Sequence, residues 1–437
     1  MSQKQIRWML GELPTLLEGG VIDGATAERL RRHYEAAAGP NRNWALTIFG
    51  LLGGTLVGLG VILLLAHNWA DLSRAARTAL AFAPLVAAQL LAVWILRTGK
   101  TSAAWREGVG LFWTLAVGAA IALVAQTYHI PGDAGRFALT WMLLALPIVY
   151  LLNATGPALV YLAGMTFWAI DAQTNGGQAL PFWPLAALIL PHVAAAARGN
   201  PYAARPALLF WGLAFALCVA VGVTLEKILP GLWIIVYGAL FAIFYLAGEF
   251  WFGEAPSFWQ KPFQSFGAVG AVVLAFLLTY EWPWEEIGWR YWRHGAAYHG
   301  FAAALDYVLA ALLPTAAIVL LVGSVRRGKA HALFIGALPI LAVLGFALVA
   351  QTGEEAAALA LFNLYVFAVG LGLLVQGFRA RRASTVNAGL LVVFALILLR
   401  FFDEDLGFVF RGVVFVLLGL AFLAVNLVLA RKKGAAA

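Results

Sequence analysis

The chain has 437 residues, of which 63% are hydrophobic and only 11% charged. That balance excludes an ordinary water-soluble globular protein, in which about 25% of residues are charged. The net charge of +8 would suit nucleic acid, but the basic residues stand in short clusters between apolar runs, a pattern of membrane topology rather than of phosphate binding.

Residues 1–43 read as two short helices. Lys4–Glu18 carries Ile6, Leu10, Leu13 and Leu17 along one face, Gly19 and Gly20 interrupt it, and Asp23 is placed to cap a second helix over Ala25–Ala37. This hairpin is expected in the cytoplasm, against the bilayer or a cytoplasmic protein partner. Arg29, Arg31 and Arg32 would meet anionic headgroups at about 1 kcal/mol per charge. The mixed polarity before the first apolar run lacks the basic-then-apolar pattern of a cleaved leader, so the first span is expected to stay in the membrane.

Apolar runs follow at 45–66, 75–96, 107–128, 138–152, 156–172, 180–197, 206–224, 230–250, 262–280, 302–323, 330–350, 356–378, 384–402 and 410–430. A helix needs about 20 such residues to cross the hydrocarbon. The fourth to sixth runs are short and carry Pro147, Pro157, Pro181, Pro184 and Pro191, so kinked or partly re-entrant segments are expected there and the span count is 12 to 14.

Several polar groups punctuate these runs. Gly50, Gly53, Gly54, Gly58 and Gly60 in the first span would let another helix approach closely. His67, Asn68 and Trp69 close it as an interfacial motif, since Trp favours the headgroup zone. Gln126, Thr127, Tyr128 and His129 gather at the outer end of the third span. Cys218 is the lone cysteine, so neither an internal disulfide nor a thiolate metal site is expected.

The longest outer loop, 281–301, holds Trp282, Trp284, Trp289 and Trp292 with Glu285 and Glu286. It is expected to form an interfacial helix or a lid. Its His294 and His299 lack the spacing of a zinc motif. Gln351, Thr352, Glu354 and Glu355 end the eleventh span. Together with Gln126, Thr127 and His129 they are the candidate binding residues of an outward mouth, His129 facing Glu354 or Glu355 as a titratable pair. Arg400, Asp403, Asp405 and Arg411 form a charge cluster best read as a structural clamp. No nucleotide, hydrolase or metal motif is present, so no cofactor, metal or catalytic residue is assigned.

Charge and repetition organise the spans. With the N-terminus inside, 21 of the 29 Lys and Arg residues fall on the inner side, the positive-inside signature. An even count then puts both termini in the cytoplasm. Ala122–Thr127 and Ala347–Thr352 are identical over six residues, and Pro84 with Arg97 and Lys100 matches Pro314 with Arg326 and Lys329. The expected plan is a parallel 6+2+6 repeat: 44–200 as the first half, 201–260 as a connecting pair, and 261–437 as the second half.

Ala66-His67-Asn68-Trp69, the preceding hairpin with Gly20-Val21-Ile22-Asp23, and the Asn387–Arg411 stretch with Arg400-Phe401-Phe402-Asp403 carry a family resemblance. The chain resembles an uncharacterised family of bacterial predicted inner-membrane proteins, in which an Ala-x-Asn-Trp signature follows the first span. The likeness is best over residues 1 to about 150, and it implies location and topology but no activity. The layout is also similar to that of fourteen-span major facilitator transporters, although Arg97, Gly99, Lys100 and Arg106 lack the Asp of their cytoplasmic motif.

The expected protein is therefore an all-α, polytopic transmembrane helix bundle of the bacterial inner membrane, transporter-like or lipid-handling, with a polar cavity between two repeats. A non-transporting scaffold or envelope sensor using the hairpin is the competing reading, and a membrane-embedded enzyme the weaker one. The lipid bilayer is the expected partner, with no nucleic acid.

Overall fold

The computed structural model describes residues 3–38, 72–99, 102–198, 201–225, 230–252, 257–288 and 300–403, and isolated positions between 409 and 423. Among them there is no strand. The expected spans at 45–66 and 410–430, with the glycines of the first, lie wholly or largely outside the described residues. Contacts divide the chain into two units, Met1–Arg77 and Thr78–Ala437.

In the first unit, α1 (Gln3–Glu18) and α2 (Gly24–Ala38) pack as a hairpin. Gly20 takes φ +66°, a left-handed turn suited to glycine. Asp23 accepts from Thr26 N at 3.1 Å, and the Thr26 hydroxyl and N–H hold its carboxyl below the usual range. Leu13 is buried between the helices, whereas Trp8 and Val21 are exposed.

In the second unit the helices are α3 (Arg74–Arg97), α4 (Ala103–Tyr128), α5 (Ala134–Leu152), α6 (Thr155–Thr174), α7 (Phe182–Ala187), α8 (Leu190–Ala197), α9 (Ala204–Thr224), α10 (Leu232–Phe252), α11 (Pro262–Leu277), α12 (Gly300–Arg326), α13 (Leu333–Gly336), α14 (Leu338–Thr352), α15 (Ala356–Arg379) and α16 (Ala383–Asp403). Nine segments among the described residues are long and apolar enough to cross a membrane: α3, α4, α5, α9, α10, α12, Ala330–Thr352, α15 and α16. Phe182–Ala197 and Pro262–Leu277 are shorter apolar stretches. The proline-rich sixth run is broken into α7 and α8, as proline inside a helix removes an N–H and clashes with the preceding turn.

The turns follow local chemistry. Ser102 and Asp133 cap α4 and α5, with Asp133 accepting from Arg136 N at 2.7 Å. His129, Asn153 and Gly353 end α4, α5 and α14 in the left-handed conformation. Helix α6 begins at Ala154 without a cap of its own. Glu107 on α4 supplies one from a distance, accepting from Thr155 N at 2.7 and 2.8 Å and from Gly156 N at 2.7 Å.

Two groups of helices result. Helices α4, α5, α6 and α9 pack together around Met142, Tyr161, Met165 and Leu209, and α10, α11, α12, α14, α15 and α16 form the second group. Helix α9 touches α11 and joins them. The eighth expected span, α10, is the hub of the second group. Its most apolar stretch is 72% buried, against 17–44% for the other eight. Leu90, Val319, Leu364 and Leu391 stand exposed on the outer surface, which suits contact with lipid and would be a liability in water.

Hydrogen bonds sort the helix ends onto two faces. On one, Thr78 meets Tyr128, Gly288 meets Pro230, and Arg400 meets Thr279. On the other, Glu107 meets Thr155, Arg205 meets Asn153, Gln260 meets Tyr202, and His331 meets Glu249.

Candidate functional site

The residues singled out in the sequence come to rest in different places. Gln126, His129, Gln351, Thr352 and Glu354 are exposed, Glu355 is half-buried, and Thr127 is buried. The Thr127 hydroxyl donates to Leu123 O at 2.7 Å and that of Thr352 to Leu348 O at 2.9 Å, so the two identical hexapeptides end their helices alike. Helices α4 and α14 belong to different groups, and none of these seven residues lines the cavities below. His67, Asn68, Trp69, Asp405 and Arg411 lie outside the described residues, and Asp403 is the last residue of α16.

Arg400 draws the end of α16 onto the end of α11. Its guanidinium donates to the Thr279 carbonyl and lies 5.0 Å from the centre of the Tyr280 ring. A cation emerging from an apolar helix is costly unless it is held in this way.

Thr279 leads into the segment around which the cavities form. Glu281–Gly288 is a run of turns, and 289–299, the rest of the loop expected to form an interfacial helix or a lid, lie outside the described residues. Trp284 anchors it from within. That side chain is only 1% exposed; its indole N–H donates to Leu278 O at 3.0 Å, and its ring lies 5.6 Å from that of Phe362. Gly345 leaves room for the indole, because a Cβ there would stand 2.8 Å from it. Ile287 is buried beside Gly231, whose φ of +89° and close contact admit no side chain.

With Trp284 turned inward, Trp282 is turned outward and stacks on Trp233 of α10, ring centres 6.3 Å apart and planes 12° from parallel. A cavity of about 270 Å³ opens here, lined among others by Trp233, Trp282, Glu285, Glu286 and Asp306, with no basic residue among its described walls. A second, of about 590 Å³, lies on the other side of Trp282 and Glu285 and is lined also by Tyr280, Glu281, Asn363 and Arg400. Asp306 is 1% exposed on an otherwise apolar helix, and both it and Glu286 make polar or electrostatic contacts of their own. Exposed Glu285 borders both cavities.

The sequence displayed these residues as an aromatic, acidic loop, but nothing in it distinguished the anchoring Trp284 from the presented Trp282. Asp306 did carry a signal: an acid within an apolar run marks either a partner or a site. The arrangement can hold a positively charged group, since indole faces and carboxylates both attract cations. No group of three or more metal-ligating side chains converges among the described residues.

Fold and composition define a polytopic all-helical membrane protein. Residues 14–158 match the family model described as Predicted membrane protein (DUF2157). That stretch contains Ala66–Trp69 and most of the hairpin, while the C-terminal stretch of the resemblance lies beyond it. No curated protein and no solved structure matches the chain.

Proposed function

We propose that this chain is a transporter-like protein of the bacterial inner membrane that recognises a small ammonium-bearing solute at its outer face. One observation carries the reading: a cavity walled by the stacked Trp233 and Trp282 and by carboxylates, without a basic residue among its described walls. A desolvated cation over an indole gains about 0.5–2 kcal/mol, and Glu285 adds a charge-assisted contact of about 1.5–3 kcal/mol. A lipid headgroup amine and a free amine share this chemistry.

The expected result is that the purified full chain in lipid nanodiscs binds radiolabelled ethanolamine and tetramethylammonium, and that Glu285→Gln and Trp282→Leu each weaken binding at least tenfold, about 1.4 kcal/mol. Discs with and without phosphatidylethanolamine separate the two sources, as a headgroup occupant would compete. Equal binding by both variants and the parent chain removes the site.

Orientation follows from charge. The face bearing Arg326, Arg327, Lys329, Arg381 and Arg382 is read as cytoplasmic, and the face bearing Glu281, Glu285, Glu286 and Glu354 as outer. Cys218 is half-buried. In a Cys218→Ser background, exposed positions 354 and 381 can each be tested by a single cysteine. Glu354→Cys is expected to react with a membrane-impermeant maleimide on intact cells, and Arg381→Cys only after lysis. The reverse pattern would invert the assignment.

A further inference from the structure

The opposite end of α10 holds a second polar constellation, independent of the cavities. Glu249 stands three residues before the end of this hub helix and its side chain is 5% exposed. Such a carboxylate needs partners for both oxygens, because an unpaired buried charge is costly. The partners are unevenly shared. Oε1 lies 2.5 Å from His331 Nε2 and 3.8 Å from Lys329 Nζ, whereas Oε2 is buried with no hydrogen-bond partner. Gln264 Oε1 on α11 is likewise buried without one.

We propose that Glu249 and His331 form a proton-binding site at the basic end of α10, taking one proton from water through the imidazole. His331 is 35% exposed and Glu249 is not, so the imidazole is the route between solvent and the buried acid. Uptake converts neutral imidazole and carboxylate into imidazolium and carboxylate, or equivalently imidazole and carboxylic acid. One proton enters, the charge of the pair rises by one, and no other bond changes. A short contact between the two groups lets that proton sit on either partner, and Oε2 supplies an acceptor that the ionised pair leaves unused.

The charged groups at this end of the helices set the sign of its response. Lys261 lies at the start of α11, Lys329 and His331 on the segment leading into α13, Arg326 and Arg327 at the end of α12, and Arg382 between α15 and α16. Tyr245, one turn earlier on α10, bonds Gln264. Burial, then Arg382, lowers the Lys261 ammonium from its usual value, with Lys329 adding to the effect and Glu249 opposing it. This crowding by cations opposes the uptake of a further positive charge. Removing one cation therefore moves it to higher pH.

The test is an infrared difference titration of the full chain in nanodiscs, following carboxyl and imidazole bands. The parent chain is expected to show one uptake step assigned to both groups, absent in Glu249→Gln and in His331→Gln. Lys329→Met should raise its midpoint by about one pH unit, a tenfold gain in proton affinity, after screening of this partly exposed lysine. A purely structural ion pair would lose stability in Lys329→Met without an uptake step to move. Should Glu249→Gln fail to fold, His331→Gln and Lys329→Met carry the decision: an unchanged titration in either overturns the proposal, and loss in the first with an upward shift in the second supports it.

Discussion

Trp284→Ala is expected to destabilise the membrane region by about 3–5 kcal/mol, the usual cost of emptying a site the size of a fully buried indole. The residue is 1% exposed, packs on Phe362, and donates its N–H to Leu278 O. Its loss therefore removes packing and leaves a buried carbonyl without its partner. Because Trp284 holds the Glu281–Gly288 turns in place, ethanolamine binding in nanodiscs should fail together with stability. The neighbouring Trp282 separates the two effects. It is 55% exposed, so Trp282→Ala should change thermal unfolding by no more than about 0.5 kcal/mol while still weakening binding. Equal thermal stability of Trp284→Ala and the parent chain would show that the indole does not anchor the segment.

Gly267→Val is expected to cost more than about 3 kcal/mol, beyond the ordinary range for an overfilled core. A Cβ at Gly267 on α11 would stand 2.4 Å from Tyr245 N and 2.5 Å from Phe241 O, both main-chain atoms of α10. Backbone cannot rotate away as a side chain can, so the two helices must separate. Gly248 on α10 is the reciprocal contact, its Cβ position being 2.2 Å from Gln264 N. Close approach through small residues is the main source of helix association where lipid is as apolar as the protein interior. Gly323 on α12 has no neighbour within 4 Å of its Cβ position, and Gly323→Val should retain the monodisperse, heat-resistant fraction of the parent chain. Matching melting curves for the two valine variants would contradict the close packing of α10 on α11.

The contacts that position the site were only partly legible in the sequence. Gly20 and Asp23 announced the turn of the hairpin because their side chains, or lack of one, suit helix termini. The acid–tryptophan loop after residue 280 was visible as a cluster, but its internal arrangement was not. The expected mouth at Gln126 and Gln351 rested on two identical hexapeptides. Each ends its helix with the same threonine back-bond; α4 and α14 sit in separate groups, and the cavities described above belong to the neighbourhood of α10. Local likeness specified the helix ends and carried no information about which helices would meet.

By itself the sequence determined the helical, membrane-crossing character of this protein, the break in its proline-rich sixth run, and the clustering of its cations between apolar runs. Each of these depends on a run of neighbouring residues and on the absence of water in the bilayer core, which obliges the backbone to bond within a helix. Only the tertiary structure decided that α10 is the hub, that Trp284 points in and Trp282 out, and that Glu107 reaches Thr155 and Glu249 reaches His331. Helices apolar on every side show no stripe to mark the face that packs, because lipid and protein interior reward the same side chains. The choice is made by close fit between distant segments, at glycines and at the few polar groups that must find partners.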